Sequence, residues 1–265
     1  MHLDKNRSAT SGKIASRLAK AALGTALLLG VGSMALAQNM VVRSTGPSAG
    51  SYPAGKKMAN DAKVTLKAQD QVTILTKSGT RVLKGPGTFS LAQGGGTASS
   101  ASGRLASFIN NRGSSRARTG AVRSAVSDAV EAPTNPSLWF LDMTKGGKFC
   151  VADPNALVLW RPDYTGSATA SIVEPANGNV TEIAWRKGSA LKAWPKDVLP
   201  VTDGASYRLL GSSVSQSVEV NFVVLESEPA DLADAASVLI ENGCEGQLDL
   251  LVETANANSQ DPDQG

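Results

Sequence analysis

The sequence predicts a mainly β protein: a small N-terminal β meander, a flexible linker, and a larger antiparallel, sandwich-like domain with a C-terminal helix. Three observations predict it. Short apolar runs alternate along residues 62–91, the spacing that gives a strand one buried face, and seven more short apolar runs recur along 138–225, the last alternating at Val218, Val220, Phe222 and Val224. Gly, Pro, Asn and Asp clusters punctuate those runs. Between the two blocks lies a stretch of Gly, Ser, Ala and Arg too poor in apolar side chains to offset the entropy of ordering.

Residues 1–37 read as a secretory signal peptide. Lys5, Arg7, Lys13, Arg17 and Lys20 precede an apolar run from Ala21 to Met34, and Ala35-Leu36-Ala37 supplies small residues for cleavage between Ala37 and Gln38. The run is shorter than the roughly 20 residues that span a bilayer. The expected mature chain is therefore periplasmic or secreted, with no stable membrane span. It also lacks histidine, since the single one is His2. Without imidazole, Ser-His-Asp and Cys-His catalysis and the His-containing zinc sites are excluded.

Residues 38–92 form the small β unit. Met40–Arg43 opens it, and alternation places Val64 with Leu66 and Val72 with Ile74 on common faces. Lys77-Ser78-Gly79-Thr80 and Gly85-Pro86-Gly87 are turns, and Thr88–Leu91 completes the meander. Residues 93–136 are the linker, with single arginines through it and a short helix expected around 120–131 from Val122, Val126 and Val130. Its arginines read as a solvated tether, with no nucleic-acid partner, because no aromatic side chains interleave with them.

Residues 137–254 hold all four tryptophans and hence the main core. Strands are expected at 138–143, 148–152, 156–160, 168–174, 180–185, 205–210 and 217–225. A helix capped by Ser227, with Pro229 early and Gly243 as its stop, follows. A short helix at 247–252 and a disordered tail at 255–265 end the chain. Cys150 and Cys244 are expected to form one disulfide. Trp160-Arg161 and Trp185-Arg186 each set a cation beside an indole and are a candidate binding surface, against the alternative of buried tryptophans.

Charge is unevenly distributed. Residues 38–136 carry 13 basic and 4 acidic side chains, net +9; residues 137–265 carry 8 and 18, net −10. Such polarity favours contact between the halves or separate partners of opposite sign.

Catalytic motifs fail on context. Gly46-Pro47-Ser48-Ala49-Gly50 matches a nucleophile elbow but sits in a Pro/Gly loop without a histidine. Ser189-Ala190-Leu191-Lys192 matches Ser-x-x-Lys but falls between strands. Asp142, Asp153, Asp163 and Glu174 are carboxylates on or beside strands, the remaining basis for acid–base glycoside hydrolysis. No catalytic, cofactor-binding or metal-binding residue is assigned, and no cofactor is expected.

The segment KVTLKAQDQVTILTKSGTRVLKGPGTFSL, with the Val-rich strand before it, resembles the FecR-type periplasmic domain. In that family L-x-x-G/Q-D-x-V precedes a G-(T/S)-R/x-V-x-L hairpin and a Pro-containing turn, and the likeness covers residues 40–92. The chain as a whole is similar to exported proteins of alphaproteobacteria. The resemblance implies a periplasmic β domain, and the family's role is to relay an outer signal to a membrane-bound regulator. The expectation is an exported, non-enzymatic binding or scaffold protein with an envelope protein partner. The alternatives are a module for peptidoglycan or another cell-wall polymer and, behind it, a glycosidase.

Overall fold

A computed structural model describes residues 39–76, 79–92, 99–112, 134–211 and 214–259, all within one compact unit spanning Leu36–Gly265. The expected signal peptide and the helix expected at 120–131 lie outside the described residues.

The chain is mainly β, as its alternation predicts. Strands β1 (Asn39–Thr45), β2 (Lys57–Met58), β3 (Lys63–Leu66), β4 (Gln71–Thr76), β5 (Gly79–Lys84) and β6 (Gly87–Ser90) make the N-terminal part. They form an antiparallel sheet ordered β2-β1-β4-β5 and a separate β3-β6 pair. Alternation gives the sheet two buried faces. Val41, Val72 and Ile74 pack with Val64 and Leu66 of β3, while Met40, Val42 and Leu75 point the other way into a second core.

Asp70 ties the loops of this part together. Its carboxylate accepts the backbone N–H groups of Ser48, at 2.8 Å, and of Lys67, and its backbone C=O accepts the Gly85 N–H at 2.9 Å. Two glycines make the approach feasible. A Cβ on Gly46, whose φ is +98°, would lie 2.6 Å from Asp70 Oδ1, and one on Gly85 would lie 1.9 Å from the Lys67 carbonyl oxygen. Burial pushes the Asp70 carboxyl up, but hydrogen bonds from Ser48 and Lys67 and the Lys67 charge outweigh it and hold the group below its ordinary value. A depressed native pKa stabilises the fold above the unfolded pKa, and that contribution is lost as pH falls through the native value. Asp70→Asn should therefore lower the thermal midpoint at pH 7 and flatten the loss of stability below about pH 4. Thermal melts across pH check both effects; an unchanged acid limb would show that Asp70 is not the titrating staple.

Within the stretch expected to be a flexible linker, residues Ser99–Asn110 form α1. Leu105, Phe108 and Ile109 supply a short apolar stripe that is buried, and the Trp139 indole N–H donates to the Ile109 carbonyl at 2.6 Å. Leu105, Phe108 and Ile109 stand at helical spacing, but one such triplet among Gly, Ser and Ala is too short a stripe to hold a helix alone, so tertiary packing decides the conformation.

All seven strands expected after residue 137 are present. They are β7 (Phe140–Asp142), β8 (Gly147–Val151), β9 (Val158–Trp160), β10 (Ala168–Val173), β11 (Val180–Trp185), β13 (Ser206–Gly211) and β14 (Val214–Val224). An eighth, β12 (Leu191–Ala193), carries no alternation of its own. Sheets ordered β11-β10-β13-β14-β8 and β12-β9-β7 enclose a core in which Trp194, Tyr207 and Phe222 sit with ring centroids 5.1–5.5 Å apart. The pairing is mostly antiparallel, but β14–β8 and β7–β9 are parallel because the chain alternates between the sheets there instead of forming hairpins.

Helices α2 (Leu232–Asn242) and α3 (Glu245–Ser259) follow. Asp231, not Ser227, caps α2, accepting from the Ala233 and Asp234 N–H groups at 2.8 and 2.9 Å; Gly243 ends it at φ 70°. α3 is longer than expected and takes in residues 255–259 of the expected disordered tail. Leu251 and Ala255 are fully buried, and the Thr80 hydroxyl bonds Asn256, so contact with the N-terminal sheet orders an Asn/Ala-rich sequence. All three helices share one core with Met40, Val42 and Leu75 on one side and Leu138, Trp139 and Cys150 on the other. Ion pairs Arg43–Asp249 and Arg112–Glu228 (2.6 Å) link the basic and acidic halves. Exposed pairs of this kind add at most about 1 kcal/mol each.

Candidate functional site

Cys150 on β8 and Cys244, in the turn between α2 and α3, form a disulfide with Cα atoms 5.9 Å apart; both residues are fully buried. The bond brings the first turn of α3 against the edge of β8, where Gln247 acts as a substitute strand. Its Oε1 accepts the Cys150 N–H at 2.7 Å, and its Nε2 donates to the carbonyls of Cys150 and Leu138, each at 3.0 Å. One side chain thus satisfies three buried main-chain groups. Gln247→Ala should cost about 2–4 kcal/mol, because unpaired buried polar groups keep their desolvation penalty. Gln247→Glu should be no better at neutral pH, since a carboxylate faces two carbonyls it cannot donate to. Urea denaturation of both variants tests this; a loss below about 1 kcal/mol in each would remove Gln247 from that role.

A cavity of about 330 Å³ opens beside Gln247. Phe140, Phe149 and Trp160 give it an aromatic wall, Gly146 and Gly147 leave one side bare, and Lys145, Lys148 and Glu253 stand exposed at its rim. Asp142 also lines it, but its Oδ1 accepts from the Thr144 N–H at 2.8 Å and hydroxyl at 2.7 Å. Across from Gln247, Asn135 donates to the Phe140 carbonyl at 2.8 Å. Neither Asn135 nor Gln247 carries a sequence signal: each is an ordinary polar residue until the fold sets it against a strand edge.

The candidate surface of Trp160, Arg161, Trp185 and Arg186 is not a surface. Trp160, Arg161 and Trp185 are buried, at 5%, 2% and 3% exposure, and only Arg186 reaches solvent. Strand alternation turns both indoles inward, Trp185 into the sandwich core and Trp160 against Phe140 and Val158. Arg161 follows its strand into the interior because its guanidinium meets backbone carbonyls there. Its Nε donates to Ser189 O at 2.9 Å, and its terminal nitrogen donates to Gly166 O at 2.7 Å and Arg186 O at 3.2 Å. It also lies 5.8 Å from the Trp185 ring centre. Of the two indoles only Trp160 lines the cavity, and neither forms an exposed stacking face.

The carboxylates of the glycosidase alternative are spent on local turns. Asp153 accepts the Asn155 N–H at 2.8 Å, Glu174 accepts from Asn177 Nδ2 at 2.6 Å, and Asp163 accepts from the Thr165 hydroxyl and N–H. Those Thr165 bonds lower the Asp163 pKa, the opposite of what a general acid needs. Only Asp142 of the four lines the cavity. Ser48 is buried with its N–H on Asp70, and the Ser189 hydroxyl donates to Leu191 O at 3.2 Å, so neither is poised as a nucleophile. Among the described residues no three His, Cys, Asp or Glu side chains form a metal-binding group, and no helix is long and apolar enough to cross a membrane. No protein-family model, curated protein or solved structure matches the chain.

Proposed function

We propose that this is an exported binding protein of the cell envelope that works through contact with a protein partner. The observation that carries the reading is the cavity between the β7 and β8 edges. It is preformed and aromatic-walled, the most common character of a binding recess, and its inner carboxylate is committed to a turn instead of to acid–base work. The buried Cys150–Cys244 disulfide supports an oxidising compartment, in keeping with the signal-like pattern of residues 1–37 and the FecR-like pattern of residues 40–92.

Fractionation combined with in-cell photo-crosslinking tests the proposal. The chain should appear in the periplasmic or secreted fraction with its disulfide formed, and probes on its surface should capture a defined envelope protein. Retention in the cytoplasm with free thiols would overturn the export reading. Turnover of a glycan abolished by changing a single carboxylate would overturn the non-enzymatic one.

A further inference from the structure

The cavity is bounded by two strand edges that the sheets leave open: β8 is the last strand of the five-stranded sheet and β7 the last of the three-stranded sheet. Open edges pair readily with further extended chain. Side-chain amides already occupy part of each, Asn135 on Phe140 of β7 and Gln247 on Cys150 of β8. The Leu225 N–H donates to Val151 O at 3.0 Å, so the main-chain groups of Val151 face β14. Alternation then turns those of Cys150 and Lys148 the other way, as the Gln247 bonds show for Cys150. Two residues along from the Gln247 clamp, the Lys148 N–H and C=O therefore face the cavity, and no partner reaches them among the described residues.

Among the described residues the approach to that position is clear. Gly146 passes so close to β14 that a Cβ there would lie 2.7 Å from the Glu219 carbonyl oxygen, whereas a Cβ on Gly147 would meet nothing within 4 Å. The aromatic wall of Phe140, Phe149 and Trp160 lies beneath, in a volume suited to one or two large side chains and not to a folded element. Among the described residues at the lip, Lys145 and Lys148 make no ion pair and Glu253 is an uncommitted carboxylate.

We infer that the cavity receives an extended peptide segment of the partner protein. The segment adds to β8 at Lys148 through main-chain hydrogen bonds, sends one apolar side chain against Phe140, Phe149 and Trp160, and sets a carboxylate beside Lys145 and Lys148. Main-chain pairing supplies affinity and the alternate side-chain positions supply selectivity, the logic of strand addition. This inference rests on the binding reading above and narrows it to one edge and one ligand chemistry.

Panning a displayed library of random dodecapeptides against the oxidised protein, with Lys145→Glu/Lys148→Glu as the counter-target, is the test. Peptides that alternate apolar and polar residues around one acidic residue should be enriched. The best of them, synthesised, should bind the double variant at least tenfold more weakly and should protect the Lys148 amide from hydrogen exchange. Both substitutions lie on exposed side chains, so the variant should retain the wild-type thermal midpoint. No enrichment, equal binding to both proteins, or protection confined to other strands overturns the inference. Enrichment of peptides that protect another surface would sink this site while leaving the binding reading standing; in-cell probes that capture no envelope protein from any surface would sink the reading itself.

Discussion

Replacing Cys150 and Cys244 together by alanine should lower the free energy of unfolding by about 3–5 kcal/mol, the largest effect expected of any pair of substitutions here. The two cysteines are 94 residues apart in sequence, so the bond removes much of the freedom of the unfolded chain; the loop-entropy relation gives about 4.6 kcal/mol for a loop of that size. The native side adds to the loss, because both positions are fully buried and the shared core around them joins β8 to α2 and α3. Two alanines leave a small void and also free the α2–α3 turn that presents Gln247. The change should therefore appear in urea denaturation as a lower midpoint accompanied by a larger m-value, since an uncrosslinked unfolded chain exposes more surface. Reduction of the wild-type protein should reproduce most of it. A loss under about 1 kcal/mol would mean that the bond constrains little in the unfolded ensemble.

The cavity depends on the same bond. Gln247 reaches Cys150 only because the turn at Gly243-Cys244 delivers the start of α3 to the β8 edge. Losing the disulfide should thus weaken peptide capture at the cavity as well as stability, while leaving the sandwich core around Trp194, Tyr207 and Phe222 in place.

Two patterns made the strands legible: β10, β11, β13 and β14 occur where apolar residues recur at every second position, and β7, β8 and β9 where short continuous apolar runs lie between turn residues, with ends shifted by at most a few residues. Turn chemistry was equally readable, as with Gly243 at the end of α2. The helices were less so. α1 and the end of α3 have Gly-, Ser- and Asn-rich sequences whose helicity comes from burial of Leu105, Phe108 and Ala255, a property of the assembled core. The cysteine pair could be anticipated from its count, whereas the cavity could not. Its walls come from β7, β8, β9 and α3, and its organising residues, Asn135 and Gln247, act through main-chain atoms that a sequence does not place. The Trp-Arg pairs show the converse failure. Adjacency of an indole and a cation suggests an exposed face, but strand alternation sends Trp160 and Trp185 inward, and Arg161 goes in after its carbonyls.

That burial makes Arg161 the single residue whose loss should cost most. Arg161→Ala should destabilise the protein by about 3–5 kcal/mol, from buried carbonyls left without a donor at roughly 1–3 kcal/mol each together with the lost packing. Its three carbonyl partners, Gly166, Arg186 and Ser189, lie on the connections that follow β9 and β11, so one guanidinium fastens two loops across the end of the sandwich. The planar fork explains the choice of residue: one nitrogen position meets Ser189 while another meets Gly166 and Arg186 together. Arg161→Lys keeps a charge but offers donors from a single point, so at least one carbonyl loses its partner; a cost of about 1–3 kcal/mol is expected. Arg161→Met separates packing from hydrogen bonding. It refills most of the volume and removes the buried charge, yet leaves the Gly166 and Ser189 carbonyls without donors, the Arg186 carbonyl keeping the Ser189 N–H at 3.1 Å, and should remain close to the alanine variant if those bonds carry the effect. Urea denaturation ranks the three variants, and hydrogen exchange at residues 162–166 and 186–190 reports the loops directly, because amides in a released loop should exchange well before global unfolding. Recovery of wild-type stability in the methionine variant would instead assign Arg161's contribution to the packing of its hydrocarbon stem.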